Sequence, residues 1–170
     1  MLYFSYGSNM SSRRLSSRVA AAEFVTIATL HGHELVFHKK GKDGSAKCDA
    51  FETNSNKQFV MGVVYKVSNA DRVRLDRIEG VGKGYERKAV EIVTPLGKPL
   101  AAYTYYATHI DATLKPFDWY RHHVITGALE YELPNSYIDS LRNIDTVQDP
   151  DSARHALEMS VYDAVSSKLQ

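Results

Sequence analysis

The sequence predicts an α+β fold in which a small mixed or antiparallel β-barrel is flanked by helices. Three observations carry this. Extended stretches fill most of the first two thirds of the chain, and helical spacing takes over after Pro116. Helices do not alternate regularly with strands, as a doubly wound fold requires. No dinucleotide-binding glycine fingerprint follows the first strand, and the glycine turn there lacks a phosphate-binding lysine. A chain of 170 residues, 44% hydrophobic, suffices for one domain with a real core.

The elements follow in order. Leu2-Tyr3-Phe4 reads as a strand, apolar and aromatic. Tyr6-Gly7-Ser8-Asn9 is then a strand-to-helix turn, with a short helix expected from Met10 to Val19. Gly7 takes backbone angles closed to other residues, and Ser8 and Asn9 are good caps. The first N–H groups of a helix lack internal partners and converge on an anion; the alternative is an ordinary capped turn. Phe24 to Lys39 reads as extended structure. A polar, glycine-bearing loop runs from Lys39 to Ser45. Lys47 to Thr53 suggests a strand ended by Asn54-Ser55-Asn56. Phe59 to Val67 is the clearest strand, and Gly62 inside it marks a bulge, a bend or a close backbone approach.

Ser68-Asn69 caps a helix from Ala70 to Glu79, stopped by Gly80. Tyr85 to Val93 and Leu100 to Ala107 form a strand pair around the turn at Pro95 to Pro99. Pro116 suits the first turn of a helix carrying Phe117, Tyr120, Val124, Ala128 and Tyr131. Pro134 starts another, with Tyr137, Ile138, Leu141 and Ile144 on one stripe. After Asp149-Pro150-Asp151 a last helix puts Ala153, Leu157, Val161 and Val165 on one face, for the core or for a partner. The chain divides into a domain over 1–148 and a helical extension over 149–170.

Composition excludes several classes. A net charge of +1 makes no global case for nucleic acid or membrane, and Arg13, Arg14 and Arg18 read as a solvated face. Cys48 is the only cysteine, so no intramolecular disulfide forms. Met1 leads into a strand rather than a signal peptide, and no apolar run reaches membrane length. A cytoplasmic location is expected. Eleven tyrosines are many, and some are expected to line a cavity, because a buried phenol needs a partner.

Glu79 is an acid in the wrong place. It lies beside the apolar side of its helix and in the last turn, where the helix dipole disfavours negative charge. Such a carboxyl is poised for proton exchange; the alternative is a side chain that reaches solvent or pairs with Arg77 or Arg87. The other candidates are weaker. His31 and His33 share a strand face but have no third ligand. His122 and His123 point apart on a helix, Ser8 lacks the nucleophile-elbow pattern, and Cys48 shows no sign of activation.

Taken together, the ordered stretches resemble the γ-glutamylcyclotransferase (AIG2-like) family. The resemblance runs from Leu2 to Ile144. It rests on Tyr3 to Met10, Gly62 to Tyr65, Leu75 to Gly80, Gly84-Tyr85, Tyr103 to Tyr106, Pro116, Tyr120, Gly127-Ala128, Leu133-Pro134 and Tyr137. Met10 stands where the family more usually has leucine. The resemblance implies a small barrel with a cavity at one end and a catalytic acid/base at Glu79. It implies substrate binding by Tyr6, Gly7, Ser8, Asn9, Met10, Tyr85 and Tyr120. The implied reaction is an amide cleavage of lyase or acyltransferase type, with no metal and no cofactor. It cyclises a γ-glutamyl group to 5-oxoproline and frees an amine or amino acid. The leaving group is expected near Lys39 to Ser45. Two alternatives stand beside this: a γ-glutamylamine cyclotransferase for isopeptide fragments or acylated metabolites, and a non-catalytic γ-glutamyl or small-anion binding module. The expected partner is a small-molecule γ-glutamyl substrate, with no nucleic acid and no membrane; a homodimer is left open.

Overall fold

A computed structural model describes residues 1–53 and 55–163. Its strands are β1 (Leu2–Ser5), β2 (Ala22–His31), β3 (His33–Lys40), β4 (Ala46–Glu52), β5 (Phe59–Val67), β6 (Tyr85–Val93) and β7 (Pro99–Ala107). Five of them close into a barrel in the order β1-β5-β2-β6-β7, while β3 and β4 form a separate two-stranded sheet. The barrel pairings are antiparallel except β1 with β7, so the sheet is mixed. Two of its joints are narrow: β1 meets β7 at Tyr3 and Tyr103, and β2 meets β6 at Thr29 and Val93. The helices are α1 (Ser12–Ser16), α2 (Asn69–Glu79), α3 (Asp118–Glu130), α4 (Asn135–Arg142) and α5 (Ser152–Met159). The predicted α+β class is the one observed. No helix among the described residues is long and apolar enough to cross a membrane.

Local chemistry explains the elements that position the site. The Ser68 hydroxyl accepts the Asp71 N–H and starts α2, a cap that stabilises by about 1 kcal/mol. Gly80, at φ 74°, ends it in a left-handed turn that a side chain would strain. Gly62 is a close approach: a Cβ there would lie 2.3 Å from the Ser5 carbonyl oxygen and 2.8 Å from the Phe4 ring. That contact lets β5 press against β1 and seat the fully buried Phe4, Val63 and Val64.

Three expectations change. Phe24 to Lys39 divides into β2 and β3 at Gly32, whose φ of 72° turns the chain back. The helix expected over Met10 to Val19 divides into a 3-10 turn, Ser8–Met10, and the short α1. Between them Ser11 is extended, at φ −64° and ψ 121°. The physical reason is α3: a Cβ on Gly127 would sit 2.4 Å from the Ser11 nitrogen and 2.5 Å from Met10 Cβ, so the segment bends around that helix.

The apolar face expected on the last helix is not seated in the core, since Leu157 is 71% exposed; Val165 lies outside the described residues. Polar contacts hold α5 instead. Asp149, which accepts the Trp119 indole N–H at 2.7 Å, anchors Arg154 through both carboxylate oxygens. Those hydrogen bonds, the one with Arg154 first, hold its carboxyl well below the usual carboxylate range. Glu158 pairs with Arg14, and the Tyr162 carbonyl accepts from Arg13 at 2.7 Å.

Candidate active site

The turn that leaves β1 builds one wall of a cleft. The Tyr6 hydroxyl donates to the Tyr105 carbonyl at 2.6 Å and pins the turn to β7. Gly7 has φ −112°, so the need for glycine is not a left-handed backbone. It is space: a Cβ would stand 3.2 Å from Cys48 Cβ and 3.4 Å from the Tyr120 hydroxyl. Cys48 of β4 is itself a hub. Its N–H donates to the Tyr120 hydroxyl at 3.1 Å, and its carbonyl accepts from Tyr85. Burial raises the pKa of Tyr6, Tyr85 and Tyr120 well above the ordinary phenol value, so all three are neutral. Burial also pushes the Cys48 thiol up to about 12, which makes it a framework group rather than a nucleophile.

Glu79, the last residue of α2, faces this turn. The Asn9 amide donates to Glu79 Oε1 at 2.9 Å, and Arg18 donates to the same oxygen at 2.9 Å. Arg18 also donates to Asn9 Oδ1 at 2.8 Å, which closes a triangle. The Asn9 amide nitrogen reaches the Tyr3 hydroxyl at 3.1 Å, so its orientation is fixed from both ends. Charge-assisted bonds of this kind are among the stronger ones a half-buried site can make. Neither Arg77 nor Arg87 is the partner: Arg87 binds Asp76 at 3.1 Å.

Arg18 is therefore the residue that sequence reasoning missed. It had been grouped with Arg13 and Arg14 on a solvated face, yet Arg14 is buried and Arg18 is four-fifths buried. The usable signal was the spacing, because residues four apart on a helical segment share one side. Met10 is a second correction. Its side chain is fully buried against α3, its N–H donates to the Gly7 carbonyl at 2.9 Å, and its carbonyl accepts from Tyr65. It shapes the turn and has nothing left to offer a ligand.

The cleft has two parts. An inner pocket of about 30 Å³ is lined by Tyr6, Gly7, Ser8, Asn9, Glu79, Tyr85 and Tyr120, with Tyr3, Ser5, Cys48 and Tyr105. An outer chamber of about 300 Å³ shares Ser8, Glu79, Tyr85 and Tyr120 with it, and these four form the neck. The inner pocket has room for one or two water-sized groups, hence for a head group and not a whole substrate. Ser5 Oγ is fully buried in its wall, beside Tyr3. Lys39, Lys42 and Asp43 of the polar loop stand in the outer wall. His33, by contrast, is bound to the His31 carbonyl at 2.8 Å and to Lys88 at 2.8 Å, away from the cleft. Among the described residues no three His, Cys, Asp or Glu side chains are grouped to hold a metal ion.

This is a barrel with an acid and a polar turn at its mouth, and its sequence and fold are similar to those of known proteins. Residues 59–141 match the model of the AIG2-like family. The chain is 32% identical over 148 residues to the γ-glutamylcyclotransferase of Homo sapiens, across 85% of this chain and 78% of that protein. The Bos taurus γ-glutamylcyclotransferase matches with the same identity and coverage. A solved γ-glutamyl cyclotransferase superposes with a TM-score of 0.80 at 29% identity, across 86% of this chain and 89% of the other. The chain belongs to the γ-glutamylcyclotransferase family.

Proposed function

We propose that the protein cyclises the γ-glutamyl group of a small amide to 5-oxoproline and releases the amine, with Glu79 as the proton carrier. One observation carries the reading: Glu79 stands at the neck between a head-group pocket and a larger chamber, held through Oε1 alone by Asn9 and Arg18. Oε2 is then the oxygen that takes and returns a proton.

The chemistry suits so few groups. The substrate's own α-amine is the nucleophile, and it attacks the γ-carbonyl to close a five-membered ring. Folding a substrate so that its ends meet exploits a large effective molarity. A new C–N bond forms as the bond to the leaving nitrogen breaks. The α-ammonium gives up two protons as it becomes a lactam N–H, and the leaving amide nitrogen gains two as it becomes an ammonium. A carboxylate between the two nitrogens serves as base and then as acid. The neutral phenols of Tyr6, Tyr85 and Tyr120 and the backbone around Gly7 to Asn9 shape the pocket for the glutamyl head. Donors already in place for a developing oxyanion cost no reorganisation when charge appears.

The test is a screen of γ-glutamyl amino acids and γ-glutamyl amines for 5-oxoproline release, run on the parent and on Glu79→Gln. Release by the parent and its loss in the folded variant is the expected result. A variant that turns over within threefold of the parent overturns the role of Glu79. A parent that binds γ-glutamyl compounds without turnover makes the protein a binding module.

A further inference from the structure

Lys39 is a buried cation without an acid. It is 8% exposed, and its ammonium lies 4.7 Å from the centre of the Tyr85 ring. No carboxylate among the described residues lies within ion-pair distance of it. The other cations of the outer chamber that are shielded from water are matched: Arg14 has Glu158, Arg18 has Glu79, Lys47 has Asp43 and Arg154 has Asp149, while Lys42 is exposed to solvent. Burying a charge is costly unless something compensates it, and one ring face compensates only part. The fold nonetheless holds the ammonium there. A register shift in β3 between Phe37 and Lys39 re-aims the strand at this point. Gly84 supplies the space, since a Cβ on it would lie 3.1 Å from Lys39 Nζ. Burial lowers the pKa of Lys39 from its ordinary value, as expected of a charge still seeking a partner.

Lys39 shares the outer chamber with Glu79 and Tyr85, on the side away from the head-group pocket. We propose that Lys39 selects the leaving group by binding a carboxylate on the departing amine, so that amino-acid or peptide amides are preferred over amides of neutral amines. The proposal rests on the cyclotransferase reading of the same cleft. It turns a charge that the described residues leave without an ion pair into a contact completed by the substrate.

A matched pair of compounds tests it: γ-glutamylalanine and γ-glutamylalaninamide, which differ only in the leaving carboxylate. Both 5-oxoproline release and calorimetric binding are measured on the parent, Lys39→Met and Lys39→Arg. The parent is expected to favour the carboxylate in kcat/KM by about 10–100-fold, the range for a hydrogen bond to a charged group. Lys39→Met should erase that gap by lowering only the acid's value, and Lys39→Arg should restore most of it. Equal turnover of both compounds by the parent overturns the proposal while leaving the cyclotransferase reading intact. An equal loss on both compounds in Lys39→Met also overturns it, because it marks a packing role under Tyr85. If neither compound is turned over, binding decides. Tighter binding of the acid that vanishes in Lys39→Met upholds the subsite and removes the enzyme reading, whereas equal binding removes both.

Discussion

Glu79 and Glu158 both meet an arginine of the segment around α1, Arg18 for one and Arg14 for the other. The two arginines are four residues apart, yet the two acids become different chemical objects. Glu158 is spent on structure. Its Oε2 touches Arg14 and His123, while His123 Nδ1 is 2.7 Å from the Tyr162 hydroxyl. Burial keeps the His123 ring neutral, and Arg14 Nη1 lies 2.9 Å from its Nε2. Glu79 has the same kind of partner but stands beside a polar turn and an open neck. Each acid is held through one oxygen, so what separates the proposed reagent from the clamp is position: Glu79 faces the neck of the inner pocket, whereas Glu158 borders only the outer chamber.

The largest expected effect is on that reagent. Glu79→Gln keeps the shape and removes the proton, so kcat should fall by at least about 10²-fold, roughly 2.7 kcal/mol of transition-state stabilisation. Substrate binding by calorimetry should persist, since the lost interaction belongs mainly to the transition state. Glu158→Gln should do the reverse, with a lower melting temperature and kcat within a few-fold of the parent. Should the two variants behave alike in turnover, the distinction between reagent and clamp fails.

Gly7→Val comes next. Its branched side chain starts 3.2 Å from Cys48 and 3.4 Å from the Tyr120 hydroxyl and has to enter the inner pocket. Glutamyl binding should fall by more than about tenfold, on the order of 1.4 kcal/mol. Ser8→Ala should cost less, because backbone donors remain. Normal affinity in a folded Gly7→Val protein would take the turn out of the site.

The clamp is the more acid-sensitive of the two regions. Burial lowers the pKa of His123 from 6.5 to about 4. Burial opposes the Glu158 charge, but its contacts with His123 and Arg14 outweigh that and hold it at about 2, below its ordinary 4.5. In both windows the unfolded chain takes up a proton that the folded one does not. Stability should therefore drop as pH falls from 6.5 towards 4, and again from 4.5 towards 2. Melting temperatures across pH should show both slopes in the parent, and the lower one should become shallower in Glu158→Gln, with the part due to Asp149 remaining. The smallest effect belongs to Leu157→Ser. That side chain is 71% exposed, so chemical denaturation should register a change within about 0.5 kcal/mol.

What the sequence revealed follows the reach of local rules. Ser68 and Gly80 bound α2 through contacts a few residues long, so the helix and the awkward position of Glu79 were readable. The β6–β7 pair was readable from a turn between two apolar runs. Arg18 was not, because its acid lies 61 residues away and nothing local distinguishes it from Arg13. Apolar spacing left the seating of α5 open between core and partner, and it could not show that Asp149, Arg14 and His123 hold the helix by charge and hydrogen bonds through Arg154 and Glu158. At Gly7 the structure shows crowding rather than a left-handed backbone. Its neighbour in space, Cys48, is remote in the chain, so crowding was invisible and backbone freedom was the available guess.

The separate β3–β4 sheet has a consequence for how such a protein diversifies. Lys39 lies next to the end of β3, and the loop that joins β3 to β4, with Lys42 and Asp43, completes that side of the outer chamber. Glu79 and the glutamyl turn belong to the barrel side. On the proposed reading, charge swaps in the hairpin loop would therefore change which amine is accepted while leaving Glu79 and the turn untouched.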